Sequence, residues 1–234
     1  MSILKDKFAL VTGASRGIGA ATALALGSAG AHVILVGRTV GGLEEVEERI
    51  YASGGSATIA PLDLTDGESI AKLALAISGR WPALDLLVLN AAMLGSLSPV
   101  PHIDAKEFAK VITLNVTAQQ ALIAAFDPML RASADARVIG ITSSVGRSPR
   151  AFWGAYGASK AAFETLLAAY GEEMRNIGRI KVVIVDPGAT ATQMRARAYP
   201  GEDPTTLKLP SVVADTILRL ATKGFTTGHF ERID

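Results

Sequence analysis

The sequence contains no cysteine, which excludes disulfide bonds and metal sites with cysteine ligands. Its three histidines, His32, His102 and His229, lack the spacing of a metal-ligand motif, so no metal is expected. No segment is both long and apolar enough to span a bilayer. The first seven residues carry charges where a signal peptide would need an apolar run. These absences lead us to expect a cytoplasmic protein without membrane contacts.

A strong charge imbalance is also missing. The chain has 23 basic and 22 acidic residues, a formal net charge of +1 at pH 7, which argues against an extended nucleic-acid interface. Apolar content is plentiful, because 49% of the 234 residues are hydrophobic. This length and composition suit a single α/β domain, residues 1–234, with a substantial core.

Short apolar segments alternate with longer helical ones. The apolar segments are rich in Val, Ile and Leu without polar alternation, as is typical of strands buried on both faces, and they lie at 8–12, 32–36, 57–62, 84–89, 137–142 and 180–185. Helices are predicted near 17–29, 42–53, 67–79, 104–131, 155–177 and 211–222. The alternation predicts a doubly wound parallel sheet with helices on both faces.

One segment, 188–210, fits neither pattern. It holds three prolines, scattered charges and no clear period. A loop of this length in a compact domain is often a lid or a binding loop. We therefore expect a substrate loop here.

A Gly-rich turn connects the first predicted strand to the first helix. Glycines at such a turn permit close backbone approach, and the following helix N-terminus favours a pyrophosphate. Glycines also mark ordinary turns, but the position after the first strand favours a nucleotide site. The expected contacts are Gly13, Ser15, Arg16, Gly17, Ile18 and Gly19.

The end of the second strand indicates the type of nucleotide. A site selective for NAD(H) usually has an acidic residue there to bind the ribose 2′-hydroxyl, but this chain has Gly37 and Arg38. Arg16 can approach the same position. The sequence therefore predicts a preference for NADP(H) over NAD(H), with two solvated arginines as the alternative.

Three residues after the third and fourth strands complete this end of the expected site. Asp63, followed by Leu64, can accept a hydrogen bond from adenine or cap the helix that begins near 65–66. Asn90 ends the fourth strand, at the carboxyl edge where ligands bind in this architecture.

Tyr156 and Lys160 are four residues apart, so they share one face of a predicted helix. The pKa of a free tyrosine is about 10, and bringing it near 7 takes roughly 4 kcal/mol, which one ammonium about 4 Å away supplies at an effective dielectric constant of about 20. Tyr156 then suits proton exchange with an alcohol or carbonyl oxygen, and Ser143 can hydrogen-bond the same oxygen. Ser144 competes with Ser143 for this role.

The chain resembles the short-chain dehydrogenase/reductase family, and in particular a bacterial branch of poorly characterised oxidoreductases. The resemblance covers nearly the whole chain, with matching elements in the family's order: residues 12–19, Asp63, Asn90-Ala91-Ala92, Asn115, Ser143, Tyr156, Lys160 and Pro187-Gly188. It implies a Rossmann-like fold and an NADP(H)-dependent oxidoreductase that interconverts a small-molecule carbonyl and a secondary alcohol.

The resemblance also implies individual roles. Tyr156 would be the acid/base, Ser143 would position the substrate, and Lys160 would also bind the nicotinamide ribose. Asn115 would hold a water that relays protons to Lys160; without the resemblance it reads as an ordinary polar helix residue. After Pro187 and Gly188, Thr192 would bind the nicotinamide carboxamide, with Thr190 as a nearby alternative.

Three departures from the family pattern stand out. Ala92 replaces a frequent glycine, which should be tolerated, and Asp186 replaces a frequent asparagine before Pro187-Gly188. The chain also stops soon after Thr227-Gly228, where many relatives continue through a final strand into a tail, so the usual tail contacts are in doubt.

Two other functional classes compete. A catalytically silent nucleotide-binding sensor or scaffold would be favoured if Tyr156 or Lys160 were missing, but both are present. Isomerases or epimerases of nucleotide sugars tend to have a larger C-terminal substrate domain, for which this chain has no room. The resemblance further implies a homodimer or homotetramer, formed by helices 104–131 and 155–177, which carry alanines that permit close packing.

The predicted substrate entrance combines charge with an apolar wall. Arginines flank both segments that should border it, and they would suit a substrate with an anionic group; the alternative is that they are solvated loop residues: Arg147, Arg150, Arg195 and Arg197. Phe152, Trp153 and Met194 are expected to form the apolar wall.

Overall fold

The computed structural model describes residues 3–234 and contains one parallel sheet. Its strands are β1 (Phe8–Thr12), β2 (His32–Gly37), β3 (Ser56–Pro61), β4 (Leu86–Leu89), β5 (Ala136–Ile141), β6 (Ile180–Asp186) and β7 (His229–Arg232). The strand order is β3-β2-β1-β4-β5-β6-β7, with every pair parallel. The predicted doubly wound α/β architecture is confirmed, and six strands begin and end within two residues of the predicted bounds.

Helices cover both faces of the sheet. They are α1 (Gly17–Ser28), α2 (Val40–Ala52), α3 (Gly67–Ser78), α4 (Ala105–Ile112), α5 (Ala118–Ala132), α6 (Gly154–Met174), α7 (Gln193–Ala198) and α8 (Pro210–Thr222). One buried cluster joins α1, α2 and α8 to the sheet, and a second joins α3, α5 and α6 to its other face. The strand order reverses between β1 and β4, and the carboxyl ends of these two strands therefore border a crevice.

The helix predicted over 104–131 is present from Ala105 to Ala132, but a π turn lies inside it. Asp104 caps α4 by accepting a hydrogen bond from the Glu107 N–H at 2.8 Å. A π turn at Thr113–Thr117 then separates α4 from α5. The apolar residues continue through this turn, so the hydrophobic pattern alone did not indicate it. The 188–210 segment likewise contains a short helix, α7, and a 3₁₀ turn at Pro204–Thr206.

A final strand, β7, follows Thr227-Gly228, where the sequence analysis predicted none. β7 pairs with β6, and the Ile233 N–H donates to the Asp186 carbonyl at 3.0 Å. The Lys208 ammonium donates to the Pro187 carbonyl at 3.1 Å and to the Ile233 carbonyl. The last strand therefore packs directly beside the Pro187-Gly188 turn.

Candidate active site

A crevice of about 760 Å³ opens at the carboxyl edge of the sheet. Sixteen of the predicted site residues line it: Gly13, Ser15, Arg16, Gly17, Ile18, Arg38, Asp63, Leu64, Asn90, Ser143, Tyr156, Lys160, Pro187, Gly188, Thr190 and Thr192. Gly19 and Asn115 do not line it. The structure thus brings the nucleotide end and the chemical end of the sequence prediction into one crevice.

The Gly-rich turn is shaped by close backbone packing. Gly13 has a φ of 65°, and a Cβ there would lie 2.9 Å from the Asn90 amide nitrogen. A Cβ on Gly19 would lie 2.2 Å from the Gly13 carbonyl oxygen. Gly19 therefore serves the packing of the turn rather than the crevice wall. Gly17 opens α1, whose N-terminus faces the crevice.

Thr12 and Asn90 hold the two strands that border the crevice. The Thr12 hydroxyl accepts hydrogen bonds from the N–H groups of Asn90 (2.9 Å) and Ala91 (3.0 Å). The Asn90 amide donates to the Thr12 carbonyl at 2.8 Å. These bonds fix the separation of the β1 and β4 ends, so the floor of the crevice is formed before any ligand enters.

The rim beyond β2 and β3 carries an exposed ion pair. The Arg38 guanidinium lies 4.0 Å from the Asp63 carboxylate. Asp63 also accepts from the Thr65 N–H (2.9 Å) and hydroxyl (2.8 Å), and these bonds hold the pKa of Asp63 below its usual range. The alternative that Asp63 caps the next helix is wrong, because Asp66 is the N-cap of α3.

Ser143 and Ser144 differ in their surroundings. Ser143 directly follows β5 and lines the crevice. The Ser144 hydroxyl instead accepts from the Arg150 guanidinium at 3.3 Å, and Ser144 does not line the crevice. Of the two serines, only Ser143 lines the crevice.

Tyr156 and Lys160 lie one turn apart on α6, and only 7% and 3% of their respective surfaces are exposed. The Lys160 ammonium donates to the Ile141 carbonyl at 2.8 Å and lies 5.8 Å from the centre of the Tyr156 ring. Burial lowers the pKa of Lys160 to about 8, against an opposing effect of Glu164.

The pKa of Tyr156 is shifted in the direction opposite to our expectation. Burial raises it, and the carboxylate of Asp186 raises it further. We expected the Lys160 ammonium to bring this pKa near 7, but burial of the phenol disfavours its charged form and has the larger effect. The groups of the protein itself therefore favour a neutral phenol.

Asn115 lies in the π turn, fully buried behind the crevice. Its amide oxygen accepts from the Met93 N–H, and its amide nitrogen donates to the Met93 carbonyl and the Ser159 hydroxyl, all at 2.9 Å. Ser159 in turn donates to the Tyr156 carbonyl at 2.7 Å. Both amide hydrogens are used, so the side chain connects the segment after β4 to α6.

The chain that carries this Gly-rich turn and the buried Tyr156 and Lys160 is similar to a known family of proteins. The family model described as short chain dehydrogenase matches residues 7–203. The chain belongs to the short-chain dehydrogenase/reductase family. It is an oxidoreductase of that family, which implies a small-molecule substrate.

Several relatives of this dehydrogenase match over nearly their whole length. It is 37% identical over 221 residues to the uncharacterized oxidoreductase YciK of Escherichia coli K12, covering 93% of this chain and 87% of that protein. A Shigella flexneri short chain dehydrogenase complexed with NADP is 36% identical, with a TM-score of 0.94 over 99% of this chain and 98% of that one. An Escherichia coli short chain dehydrogenase complexed with NADPH gives the same identity, TM-score and coverage.

The two threonines after Pro187-Gly188 have different partners in this dehydrogenase. The Thr190 hydroxyl donates to the Pro187 carbonyl at 3.1 Å. The Thr192 hydroxyl accepts from the Arg195 N–H at 3.1 Å and caps α7. An accepting hydroxyl still has its own hydrogen to donate, so Thr192 is better placed than Thr190 to bind a ligand carbonyl.

An apolar cluster surrounds Tyr156. It contains Leu94 and Val145, with Leu97, Trp153, Met194 and Ala198 packed against it. Trp153 and Met194 form the predicted apolar wall. The prediction that Phe152 belongs to it is wrong, because Phe152 is 57% exposed and does not line the crevice. Leu94 follows the Asn90-Ala91-Ala92 motif at the strand edge, a signal that could have identified it. Glu107 and Lys110 also line the crevice, but on the sequence they read as ordinary helix-surface residues.

The four predicted arginines do not form a ring. Arg147 binds Glu164 at 2.6 Å and Arg150 binds Tyr199 at 3.2 Å, and neither lines the crevice. Arg195 lines it but is paired through two nitrogens with Glu202. Arg197 lines the crevice from an exposed position.

Residues 3–234, the part of the chain that the structure describes, contain no group of three or more His, Cys, Asp or Glu side chains that could hold a metal ion. Within the same range, no helix combines the length and apolar character needed to cross a membrane.

Proposed function

We propose that this dehydrogenase interconverts a carbonyl and a secondary alcohol with NADP(H), using Tyr156 as the acid/base. The observation that carries the proposal is the placement of Tyr156 and Lys160, buried one turn apart on α6, in the same crevice as the Gly-rich turn. A nucleotide bound to that turn would meet the only phenol–ammonium pair that the described residues place in this crevice.

The crevice fits a dinucleotide phosphate. Gly13 lacks the side chain that would block close approach to the turn, and α1 directs its N-terminus at the crevice. No acidic side chain ends β2, where Gly37 and Arg38 lie instead, and Arg16 is exposed nearby. The NADP and NADPH complexes of the Shigella and Escherichia relatives support the same choice.

The bound cofactor would supply or accept the hydride, and the protein would control the proton. The neutral phenol of Tyr156 is ready to donate a proton to a carbonyl oxygen. Ser143, which also lines the crevice, would donate a hydrogen bond to that oxygen. Lys160 would bind the nicotinamide ribose and Thr192 the carboxamide. The neutral phenol is the form that donates a proton in the reduction, and the phenolate is the form that accepts one in the oxidation.

A substitution at Tyr156 tests this function. Tyr156→Phe keeps the ring but removes the ionisable oxygen, so turnover of carbonyl substrates should fall by roughly 10²- to 10⁴-fold while NADPH binding survives. NADPH absorbance over a panel of ketones and aldehydes measures turnover, and NADPH fluorescence measures binding. Tyr51→Phe is the matched control, because Tyr51 is 54% exposed on α2 and does not line the crevice.

Two results would contradict the proposal. Turnover retained in Tyr156→Phe would remove the acid/base role. Tight NADPH binding without turnover of any carbonyl by the wild type would instead favour a nucleotide-binding sensor.

A further inference from the structure

A buried carboxylate, Glu164, lies on α6 one turn beyond Lys160, and 8% of its surface is exposed. One of its oxygens accepts from the Thr142 hydroxyl and the other from the Arg147 Nε, each at 2.6 Å. Charge-assisted hydrogen bonds of this length are strong. Both carboxylate oxygens of Glu164 are therefore hydrogen-bonded, although Glu164 has no part in the acid/base chemistry proposed above.

The two partners of Glu164 enclose Ser143. Thr142 precedes it, and Arg147 ends the short 3₁₀ turn at Ser144–Gly146 that follows it. A Cβ on Gly146 would lie 3.0 Å from the Ala161 nitrogen, so this segment already packs closely on α6. Glu164 therefore ties both ends of the segment that carries Ser143 to the helix that carries Tyr156 and Lys160.

Glu164 also belongs to the electrostatic surroundings of Lys160. The rings of Phe163 and Tyr156 lie 5.2 and 5.8 Å from the ammonium, and the Ile141 carbonyl accepts from it. The Glu164 carboxylate favours the charged lysine. Two further charges lie close by: Arg147, which neutralises part of the Glu164 charge, and Asp186 at the end of β6, which acts on Tyr156.

Glu164 and Arg147 form an ion pair in which the two side chains differ in solvent exposure. The Glu164 side chain is 10% exposed, whereas that of Arg147 is 48% exposed and stacks on the Phe230 ring of β7 at 3.4 Å. Water screens the more exposed charge more strongly. A net negative field from Glu164 therefore remains on the buried side, where Lys160 lies.

We propose that Glu164 is a positioning residue: it holds the Ser143 segment against α6 and supplies a buried negative charge to the Lys160 ammonium. The proposal rests on the proposed function, because it acts through Ser143 and Lys160. It assigns Glu164 a role in catalysis although Glu164 itself contacts neither substrate nor cofactor.

The charge is tested by titrating Lys160 directly, by ¹³C NMR of lysine-labelled protein without nucleotide or substrate. The Lys160 signal is the one that Lys160→Arg removes. Glu164→Gln keeps the shape of the side chain and should lower the Lys160 midpoint by roughly one pH unit. Arg147→Met leaves Glu164 without its neutralising partner and should raise the midpoint. Glu172→Gln, exposed on the same helix, is the control and should leave it unchanged.

The positioning is tested by Glu164→Asp, which keeps the charge but is too short to reach both Thr142 and Arg147. Its Lys160 midpoint should stay near the wild-type value. Its kcat with a carbonyl substrate should fall roughly tenfold or more, because Ser143 loses its fixed place, while the Kd for NADPH is unchanged. A role limited to stability would lower Tm without separating kcat from Kd in this way.

The Lys160 titration needs no turnover, so it tests the charge role of Glu164 even if the proposed carbonyl reaction proves wrong. Unchanged Lys160 midpoints in both Glu164→Gln and Arg147→Met would overturn the charge role, and an unchanged kcat in Glu164→Asp would overturn the positioning role. If Glu164→Gln does not fold, Arg147→Met decides the charge role alone, since its side chain is about half exposed. Opposite shifts in the two variants would support the proposal even if no carbonyl substrate were turned over.

Discussion

The guanidinium of Arg38 lies 4.0 Å from the carboxylate of Asp63 where β2 and β3 reach the rim of the crevice. Both side chains are well exposed, at 69% and 48%. An exposed pair at this distance contributes about 0–1 kcal/mol, so a phosphate can recruit Arg38 at little cost. The Arg38 guanidinium is therefore held at the rim by only a weak ion pair with Asp63.

The first prediction follows from that pair. Arg38→Ala should weaken NADPH binding by roughly ten- to a hundredfold, about 1.5–3 kcal/mol, and should change NADH binding little, because only NADPH has the extra phosphate. Fluorescence titration with both nucleotides at fixed ionic strength measures this. Arg179→Ala is the control, since Arg179 is exposed at the opposite, amino edge of the sheet. Equal wild-type affinities for the two nucleotides would refute it.

Asp186 carries the second prediction. It is 3% exposed, and its carboxylate accepts from the Gly188 N–H at 3.1 Å. Asp186→Asn keeps an acceptor for that bond but removes the charge that raises the pKa of Tyr156, so this pKa should fall. Reduction needs the protonated phenol, so the alkaline limb of its kcat/KM profile should move to lower pH. Oxidation needs the phenolate, so its rate at neutral pH should rise.

The control for Asp186→Asn is Asp215→Asn, because the carboxylate of Asp215 is exposed on α8. Its pH profiles should match those of the wild type. Profiles of Asp186→Asn that coincide with the wild type in both directions would show that Asp186 has no influence on the titrating group.

A third prediction concerns stability at low pH. The two ring nitrogens of His32 lie 2.9 Å from the hydroxyls of Ser56 and Thr58, and burial and Arg80 lower the pKa of His32. A folded-state pKa below the unfolded value of about 6.5 favours the neutral ring, so this stabilisation is present above pH 6.5 and is lost as pH falls through the folded-state pKa. The free energy of unfolding should fall more between pH 7 and 5 in the wild type than in His32→Gln.

Urea denaturation followed by tryptophan fluorescence measures that difference. Trp81 packs against His32, with ring centres 5.0 Å apart, and reports on this region directly. The exposed His102 provides the control variant, His102→Gln, which should keep the wild-type pH dependence. The same pH dependence in His32→Gln would contradict the prediction.

Assembly is the fourth prediction. Ala124 on α5 and Ala168 and Ala169 on α6 are exposed in the single chain and are small enough for close helix packing. We predict a homodimer or homotetramer that uses these faces. Ala124→Arg and Ala168→Arg should reduce the mass seen by light scattering at micromolar concentration, whereas Ala52→Arg at the exposed end of α2 should not. A monomeric wild type would exclude this assembly.

The sequence predicted the strands well because each is a run of apolar residues buried on both faces. The sequence did not predict β7, because its residues, His229–Arg232, are mostly polar and only partly buried. The crevice residues could be predicted because glycines after a first strand, and polar residues at strand ends, mark the carboxyl edge in this architecture.

Other features depend on contacts that no local pattern encodes. The partners of Arg147, namely Glu164 and Phe230, are 17 and 83 positions away along the chain. Glu164 itself reads as a surface residue of a helix. The pKa shift of Tyr156 depends on its burial and on Asp186, 30 positions later, so the lysine four residues away suggested the wrong direction.

The π turn at Thr113–Thr117 also limits how this chain can change in length. Each residue of an α-helix rotates the chain by about 100°. Deleting one residue from the turn would restore a regular helix but rotate α4 by that angle relative to α5, carrying Glu107 and Lys110 off the crevice wall. Exchanges at the exposed Thr117 would leave the geometry intact. The turn is therefore more sensitive to a change in its length than to an exchange at the exposed Thr117, whereas Asn115 within it is held by its bonds to Met93 and Ser159.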